Sequence, residues 1–311
     1  MDAEGRAKAL EALATHSGGF AMVANDGRES LRGMLHTAGR PSEDDAIADF
    51  KVAVSRHLGP FCSAMLIDLM YGAAALDEHK RVSPDAGRIV SVDLFDEPRF
   101  GPLAATTLDR DEMAPERIPS DVHALKFFVF WHPDQPRSVR LDEANEFVQR
   151  CADLSLLSLL EGVVQLPAGD PRFDDSLLAA SAEFGACRPD LYKTQVPSLG
   201  RAAPEQIEQV SRELSATVGA PWVALSNGVP ADAYADVVTA VCRGGASGFL
   251  AGRATWGPAI TAEDPEHELA TTGAQRLREF ASRVERDAIP WWTAAGLPRP
   301  SAALSTSERD A

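Results

Sequence analysis

Two lysines stand inside stretches of sequence that are otherwise apolar. The chain has only five lysines against 25 arginines, and Lys126 lies in ALKFFVFW while Lys193 lies in DLYKTQVP. An ammonium group in a buried strand is costly unless it is paired or neutral. A desolvated lysine near other cations has a lowered pKa, and its free amine can attack a carbonyl to form a Schiff base. The alternative is that each lysine reaches the rim of the fold and pairs with a carboxylate.

A carboxylate interrupts the apolar segment between these two lysines. Glu161 lies in LSLLEGVVQ. If the three segments are neighbouring strands of a parallel barrel, Lys126, Glu161 and Lys193 converge at the carboxyl ends of the strands, where barrel enzymes carry their catalytic groups. A carboxyl group beside an iminium-forming lysine suits the proton transfers of a retro-aldol reaction. A purely structural Lys–Glu pair remains the alternative.

Two segments late in the chain are suited to phosphate binding. Ser226, Asn227 and Gly228 follow the apolar run WVAL, and Gly252 and Arg253 follow GFLA. Loops after strands seven and eight of such barrels often bind phosphate through backbone N–H groups, and an arginine adds a fixed cation. A tight turn without a ligand explains the glycines equally well.

Polar residues also follow the first two apolar runs. Asp26 and Arg28 come directly after FAMVAN and are candidates to face the site, while a turn into a helix capped by Ser30 is the alternative. Asp68 raises the same question after MLI. Lys51, on a predicted helix, is expected at the surface or in a pair between helices.

The elements that must position these residues alternate between short apolar runs and longer amphipathic stretches. Strands are predicted at Phe20–Asn25, Ala64–Asp68, Ile89–Val92, Leu125–Trp131, Leu156–Val164, Leu191–Val196, Trp222–Ser226 and Gly248–Gly252. Helices are predicted at Ala46–Leu58, Leu141–Leu154, Ser176–Phe184, Pro204–Val218 and Ala231–Arg243, and from about His267 to Arg286.

Eight strands alternating with helices predict an α/β fold, a (β/α)8 TIM barrel. We expect a single domain over residues 1–298 and a flexible C-terminal tail over 299–311. The segment Asp93–Pro119 has seven negative and three positive side chains, four prolines and no clear period, and is expected to be a long loop capping the barrel mouth. Arg99 and Arg110 of this segment are candidates to contact the far end of a substrate, with no choice made between them.

The net charge of −16 excludes nucleic-acid binding driven by counterion release. No apolar run is long enough to span a membrane and no signal peptide is recognisable, so a soluble, cytoplasmic protein is expected. The four cysteines are far apart and are expected to be reduced thiols, and the seven histidines are dispersed. No metal and no cofactor are therefore expected, since Walker, G-x-G-x-x-G and zincin motifs are absent as well.

Together these segments carry a family likeness. FAMVANDGRESLRGML, DFK, MLIDLMYG, ALKFFVFW, LLSLLEGVV, DLYKTQVP, WVALSNGV and GASGFLAGRATW resemble the strand-end motifs of the class I, Schiff-base aldolases of the tagatose-1,6-bisphosphate type. Within this family the chain resembles the 6-deoxy-6-sulfofructose-1-phosphate aldolases. The likeness extends from about Gly18 to Arg286.

The resemblance implies a homo-oligomeric barrel enzyme, a dimer or tetramer, that cleaves a ketose 1-phosphate to dihydroxyacetone phosphate and a three-carbon aldehyde such as sulfolactaldehyde. It implies that Lys193 forms the Schiff base and that Glu161 is the acid/base. By the same likeness Lys126, with Arg28, keeps Lys193 partly neutral and holds substrate oxygens. The 1-phosphate would be bound by Arg253, Gly252 and the loop Ser226–Gly228, with Asp26 and Arg28 at the end of the first strand.

Two places depart from the family pattern, and one of them is the end of the second strand, Asp68-Leu69. The relatives have Gln where this chain has Gly27, between Asp26 and Arg28. Loss of that amide removes hydrogen-bonding groups from the site mouth and suggests a different aldehyde end. Two alternatives therefore stay open: a Schiff-base aldolase or lyase for another sugar phosphate, such as tagatose or fructose 1,6-bisphosphate, or a barrel that binds a sugar phosphate without catalysis.

Overall fold

The computed structural model describes residues 1–96, 105–167 and 169–300. The predicted C-terminal tail falls almost entirely on residues 301–311, which lie outside the described residues, as does Arg99.

Ten strands form one closed sheet and one small sheet. They are β1 Phe20–Asn25, β2 Ala64–Ile67, β3 Gly87–Ser91, β4 Asp93–Asp96, β5 Ala105–Leu108, β6 Ala124–Trp131, β7 Leu157–Val164, β8 Leu191–Gln195, β9 Trp222–Leu225 and β10 Gly248–Ala251. Eight of them close into a parallel barrel in the order β1-β10-β9-β8-β7-β6-β3-β2, while β4 and β5 pair antiparallel. The predicted (β/α)8 barrel is confirmed, and each predicted strand lies within two residues of an observed one.

The helices run on the outside of the barrel. They are α1 Ala3–Leu13, α2 Glu29–Thr37, α3 Asp44–Leu58, α4 Leu69–Val82, α5 Arg137–Asp153, α6 Phe173–Gly185, α7 Pro204–Val218, α8 Tyr234–Arg243, α9 Arg253–Trp256, α10 Pro265–Glu268, α11 Ala274–Asp287 and α12 Trp291–Ala294. The bounds of α7 match the prediction because Pro204 starts it and Gly219, at φ +67°, ends it. Helices α1, α4, α9 and α12 have no counterpart among the predicted helices, and α2 corresponds to the helix considered as an alternative after the first strand. None of the described helices has the length and apolar character that crossing a membrane requires.

The predicted long loop Asp93–Pro119 is only partly a loop. Its first and middle parts form the hairpin strands β4 and β5, with Asp93 opposite Leu108. The hairpin is held to the barrel because Thr106 Oγ1 donates to the carbonyl oxygen of Phe128 at 2.6 Å, and the Leu108 N–H donates to Glu143 at 2.8 Å. Phe128 and Glu143 are remote in sequence from the hairpin. The contacts that hold the hairpin therefore leave no periodic pattern of apolar residues within the segment itself.

Alternation along each strand decides which side chains enter the barrel. On β1, Phe20, Met22 and Ala24 belong to the interior cluster, whereas Ala21 and Val23 pack towards the helices. The same alternation on the other strands turns the charged residues that interrupt their apolar runs inward, above a lower layer of aliphatic side chains.

The amino-terminal end of the barrel is closed. Leu10 and Leu13 of α1 and Trp291 of α12 join the interior cluster and are almost fully buried. Gly87 at the start of β3 permits this close packing, because a Cβ there would lie 2.7 Å from the carbonyl oxygen of Ala12. The barrel therefore has a packed floor, and its carboxyl end is free to form a site.

Candidate active site

A cavity of about 680 Å³ opens at the carboxyl ends of the strands. Its polar and charged lining residues include nearly all of those singled out in the sequence: Asp26, Arg28, Lys126, Glu161, Lys193, Ser226, Asn227 and Arg253. Gly27 and Gly252 line it as well. The strand ends thus bring residues from positions 26 to 253 of the chain into one place, as the barrel topology predicts.

Lys193 and Glu161 form a buried pair at the centre of the cavity. They are register partners on β8 and β7, and Lys193 Nζ donates to Glu161 Oε2 at 2.9 Å. Both side chains are 5–6% exposed. Among the described residues, Glu161 is the one carboxylate within ion-pair distance of Lys193.

Lys126 is surrounded by carboxylates instead. Its Nζ lies 2.8 Å from Asp26 Oδ2 and 3.0 Å from Asp93 Oδ1. A third carboxylate, that of Glu161, lies 3.2 Å away and so contacts both lysines. A buried ammonium with three anionic partners is a fixed cation, because removing its proton would leave those carboxylates without compensation.

The pKa shifts agree with this arrangement. Burial alone would lower the pKa of Lys126, but the attraction of Asp26, Asp93 and Glu161 raises it well above its usual value. Burial opposes ionisation of Asp26 too, yet Lys126 and Lys193 bring its pKa well below the usual range. For Asp93 burial dominates and raises the pKa, despite the nearby charges of Lys126 and Arg28. Asp93 is therefore more readily protonated on acidification than Asp26.

Asp93 is a site residue that the sequence reasoning missed. It also binds Arg28, whose Nη2 lies 2.9 Å from Asp93 Oδ2 and also donates to the Asp93 carbonyl oxygen. A carboxylate directly after a buried strand was the available signal, but the acidic segment that follows obscured it. Asp93 pairs with both Arg28 and Lys126, so the two cations expected beside Lys193 share a carboxylate that the sequence reasoning did not include.

The two segments predicted to bind phosphate lie on neighbouring strands. Ser226 and Asn227 after β9 line the cavity, whereas Gly228 of the same turn does not. The turn needs positive φ at both Asn227 (+34°) and Gly228 (+84°), which favours these residue types. Gly252 after β10 approaches β1 closely, since a Cβ there would lie 2.7 Å from the carbonyl oxygen of Ala24.

Arg253 begins α9 at the rim of the cavity. Its side chain is exposed, and within the part of the chain that the structure describes its guanidinium makes no hydrogen bond or ion pair. The other three cations of the cavity, Arg28, Lys126 and Lys193, face three carboxylates, Asp26, Asp93 and Glu161. The inner cluster is therefore formally neutral, and Arg253 supplies the net positive charge available to an anion.

Lys51 and Asp68 lie behind the cavity wall. Lys51 is fully buried, pairs with Asp68, and donates to the Asn25 carbonyl oxygen at 2.7 Å. Asp68 caps α4 by accepting from the Tyr71 N–H at 2.8 Å, and it does not line the cavity. Of the two alternatives for Lys51, surface or a pair between helices, the structure shows the pair: Lys51 of α3 binds the N-cap residue of α4.

The structure also places two residues for which the sequence left the alternatives open. Helix α2 does begin after strand β1, but the residue at its N-cap is Arg28, without a side-chain cap, so Ser30 is not the cap. Arg110 pairs with Glu143 and Glu146 on the barrel exterior and does not line the cavity. No three His, Cys, Asp or Glu side chains of the described chain are grouped to hold a metal ion.

The sequence was compared with known protein families and curated proteins. A model of the DeoC/LacD family aldolases matches residues 20–257. The chain is 26% identical to tagatose 1,6-diphosphate aldolase from Listeria monocytogenes serotype 4a (strain HCC23), over 94% of this chain and 95% of that protein. It is 25% identical to tagatose 1,6-diphosphate aldolase 2 from Streptococcus pyogenes serotype M3 (strain ATCC BAA-595 / MGAS315), over 93% and 97%.

The fold was compared with solved structures. A fructose-bisphosphate aldolase from Plasmodium falciparum superimposes with a TM-score of 0.69 over 96% of both chains, at 13% sequence identity. At that identity the likeness concerns the barrel fold alone.

Proposed function

The chain belongs to the DeoC/LacD family of aldolases, and on that basis we propose that it is a class I aldolase in which Lys193 forms a Schiff base with a ketose 1-phosphate. The observation that carries this proposal is the contrast between the two buried lysines. Lys126 is fixed as a cation by three carboxylates, while Lys193 contacts only Glu161 within the described residues. Lys193 is therefore the amine better placed to attack a carbonyl.

The first half of the reaction builds the electron sink. Glu161 takes the ammonium proton of Lys193, the amine attacks the C2 carbonyl, and the proton returns as one water is lost to give a protonated imine. The contact of 2.9 Å between Nζ and Glu161 Oε2 is short enough for both transfers.

The second half breaks the carbon–carbon bond. Glu161 accepts the proton of the C4 hydroxyl, the C3–C4 electron pair moves towards the imine nitrogen, and C4 leaves as an aldehyde. Glu161 then returns the proton to C3 of the enamine, and addition of one water releases dihydroxyacetone phosphate and restores Lys193. Lys126 and Asp26 stay charged throughout and orient the substrate hydroxyls.

The phosphate is assigned to the β9 and β10 side of the cavity. Arg253 provides the cation, and the backbone at Gly252 and at the Ser226–Asn227 turn provides N–H donors. Two specific substrates carry a phosphate at C1 that would bind there. They are 6-deoxy-6-sulfofructose 1-phosphate, implied by the sequence motifs, and tagatose 1,6-bisphosphate, suggested by the names of the relatives. We also propose a homo-oligomer, dimer or tetramer, which analytical ultracentrifugation would test.

Borohydride reduction in the presence of dihydroxyacetone phosphate tests the imine. We expect a stable adduct by intact mass, mapped to the Lys193 peptide, that is absent in Lys193→Met and present in the matched variant Lys126→Met. An adduct on Lys126 would reverse the assigned roles. If no adduct forms while dihydroxyacetone phosphate still raises the melting temperature of the protein, the Schiff-base proposal is wrong. The barrel would then bind the sugar phosphate without catalysis.

A further inference from the structure

The two sides of the cavity differ in chemistry. The β9 and β10 side carries the phosphate groups described above. On the opposite side of the ring, formed by β2, β3 and β6 with α2 and the β4 strand, Glu29 and Ser30 line the cavity together with five large apolar side chains: Met34, Met70, Leu94, Phe95 and Phe128. We call these five residues the apolar wall. In the barrel order, β9 and β10 lie four positions from β3 and β6, so the wall faces the proposed phosphate site.

Three members of the apolar wall are unusually exposed. Met70 is 62%, Phe95 52% and Leu94 38% exposed, and the described chain has only two other exposed large hydrophobic residues, Met1 and Ile289. A concentration of exposed apolar side chains at the lip of a cavity is typical of a ligand-binding surface.

The wall is also ordered by packing. The Phe95 and Phe128 rings lie 5.4 Å apart, and Phe128 contacts Phe130 edge-on at 4.7 Å. The Arg28 guanidinium lies 5.4 Å from the centre of the Phe95 ring. An aromatic surface held in this way favours flat or aliphatic groups over strongly hydrated anions.

The cations near the wall are already occupied. Arg28 is bound by Asp93, and Lys126 by its three carboxylates. Arg32 of α2 is bound by Glu29 and Asp44. Within the described residues, Arg253 on the far side is thus the one lining cation without a carboxylate partner. Among the described lining residues, the free cation therefore lies at the proposed phosphate end of the cavity and not beside the apolar wall.

We infer that the aldehyde half of the substrate is uncharged and largely apolar, so that the enzyme acts on a ketose 1-phosphate with an aliphatic or deoxygenated end beyond C4. This inference rests on the proposed Schiff-base aldolase. It differs from both specific substrates considered above, since each has an anion at C6. Gly27 fits this inference, because it lines the cavity and brings no hydrogen-bonding side chain to it.

The test uses the reaction in the direction of synthesis. Dihydroxyacetone phosphate is offered with butanal, with glyceraldehyde, and with the anionic acceptors glyceraldehyde 3-phosphate and sulfolactaldehyde. We expect kcat/KM for butanal to exceed that for either anionic acceptor by at least about tenfold. A preference of this size is typical of an apolar pocket that distinguishes substrates by one methylene group.

Variants locate the effect. Phe95→Lys and Met70→Lys place a cation on the wall and should shift the preference towards glyceraldehyde 3-phosphate by about tenfold. The matched control is Ile289→Lys, at an exposed apolar position outside the cavity, which should leave the ratio of the acceptors unchanged. An equal change in the acceptor ratio of the Ile289→Lys control would show that the change in preference does not come from the apolar wall.

The failures of the two proposals are distinguishable. If borohydride traps dihydroxyacetone phosphate on Lys193 but the native enzyme prefers an anionic acceptor, the inference about the apolar wall is wrong and the proposed function stands. If no adduct forms on Lys193 and no acceptor is used, the proposed function itself fails.

Discussion

Two sets of buried ionisable residues lie on the two sides of the barrel wall, and they differ in access and not in burial. In the cavity, Lys126, Glu161 and Lys193 are 2–4% exposed, counted over the whole residue with its backbone. In the sealed layer between barrel and helices, Lys51 and His79 are 0% exposed on the same measure. Each lysine in both sets pairs with a carboxylate. Burial and pairing therefore do not separate a catalytic lysine from a structural one, whereas contact with a cavity that a substrate can enter does.

The pKa shifts follow the same division. In the sealed layer, burial lowers the pKa of Lys51 even though Asp68 opposes the shift. In the cavity, the carboxylates around Lys126 outweigh burial and raise its pKa. A single partner does not offset desolvation, while three partners do.

The largest expected effect is on catalysis in the cavity. Lys193→Met should lower kcat by about 10⁴-fold or more, because no other amine is placed to form the imine. Its urea midpoint should change little, since Glu161 keeps its contact with Lys126 at 3.2 Å. Steady-state kinetics and urea unfolding check both parts, and substantial residual turnover would contradict the role of Lys193.

For the buried pair of Lys51 and Asp68, a substitution should lower stability and leave the chemistry in the cavity intact. Lys51→Met leaves the carboxylate of Asp68 buried without its partner and should lower the free energy of unfolding by about 3–5 kcal/mol. The double variant Lys51→Met with Asp68→Asn should recover part of the loss. At temperatures where Lys51→Met is folded, borohydride trapping on Lys193 should persist; loss of trapping in a fully folded protein would place Lys51 in the catalytic machinery.

A pH effect on stability is expected from His79. Burial lowers its pKa from 6.5 to about 4. Above pH 6.5 both states are neutral, but between pH 6.5 and 4 only the unfolded state takes up the proton, so the free energy of unfolding should fall by about 3 kcal/mol over that window.

His79→Gln is the matched variant for this effect, because glutamine keeps a donor for the Gly87 carbonyl oxygen, 3.3 Å from His79 Nε2. Urea unfolding at several pH values should show the gap between native protein and variant shrinking as the pH falls. A constant gap would show that His79 does not cause the pH dependence.

The smallest effect is expected at the exposed rim. Arg253→Ala should raise KM for the ketose 1-phosphate by about tenfold to a hundredfold with a smaller change in kcat, since a solvent-exposed cation contributes modestly to phosphate binding. Arg110→Ala, at an arginine outside the cavity, is the control. Equal effects of the two variants would remove Arg253 from the phosphate site.

The sequence predicted those parts of the molecule whose signals are local. The barrel strands were recognisable because strands buried on both faces are continuously apolar, and Lys126, Glu161 and Lys193 were recognisable because each interrupts such a run. The predicted and observed ends of the strands differ by one or two residues. Hydrogen bonding to the neighbouring strand determines where each strand ends, and the sequence of a single strand does not show it.

The parts that were missed depend on partners remote in sequence. The burial of Lys51 depends on Asn25 and Asp68, 26 and 17 residues away. The role of Asp93 depends on Lys126, 33 residues further on. Neither contact leaves a periodic trace in the sequence, since each is a single pair fixed by how the helices and the hairpin pack on the barrel.

The packed floor made by Leu10, Leu13 and Trp291 has a consequence for the order of events in turnover. Because the floor is closed, substrate and both products must share the opening at the carboxyl end. In the proposed Schiff-base reaction, the aldehyde departs through this opening while its partner product is still attached to Lys193, so we expect ordered release. Dihydroxyacetone phosphate should then leave last and compete with the substrate for the free enzyme, whereas the aldehyde should inhibit without competing.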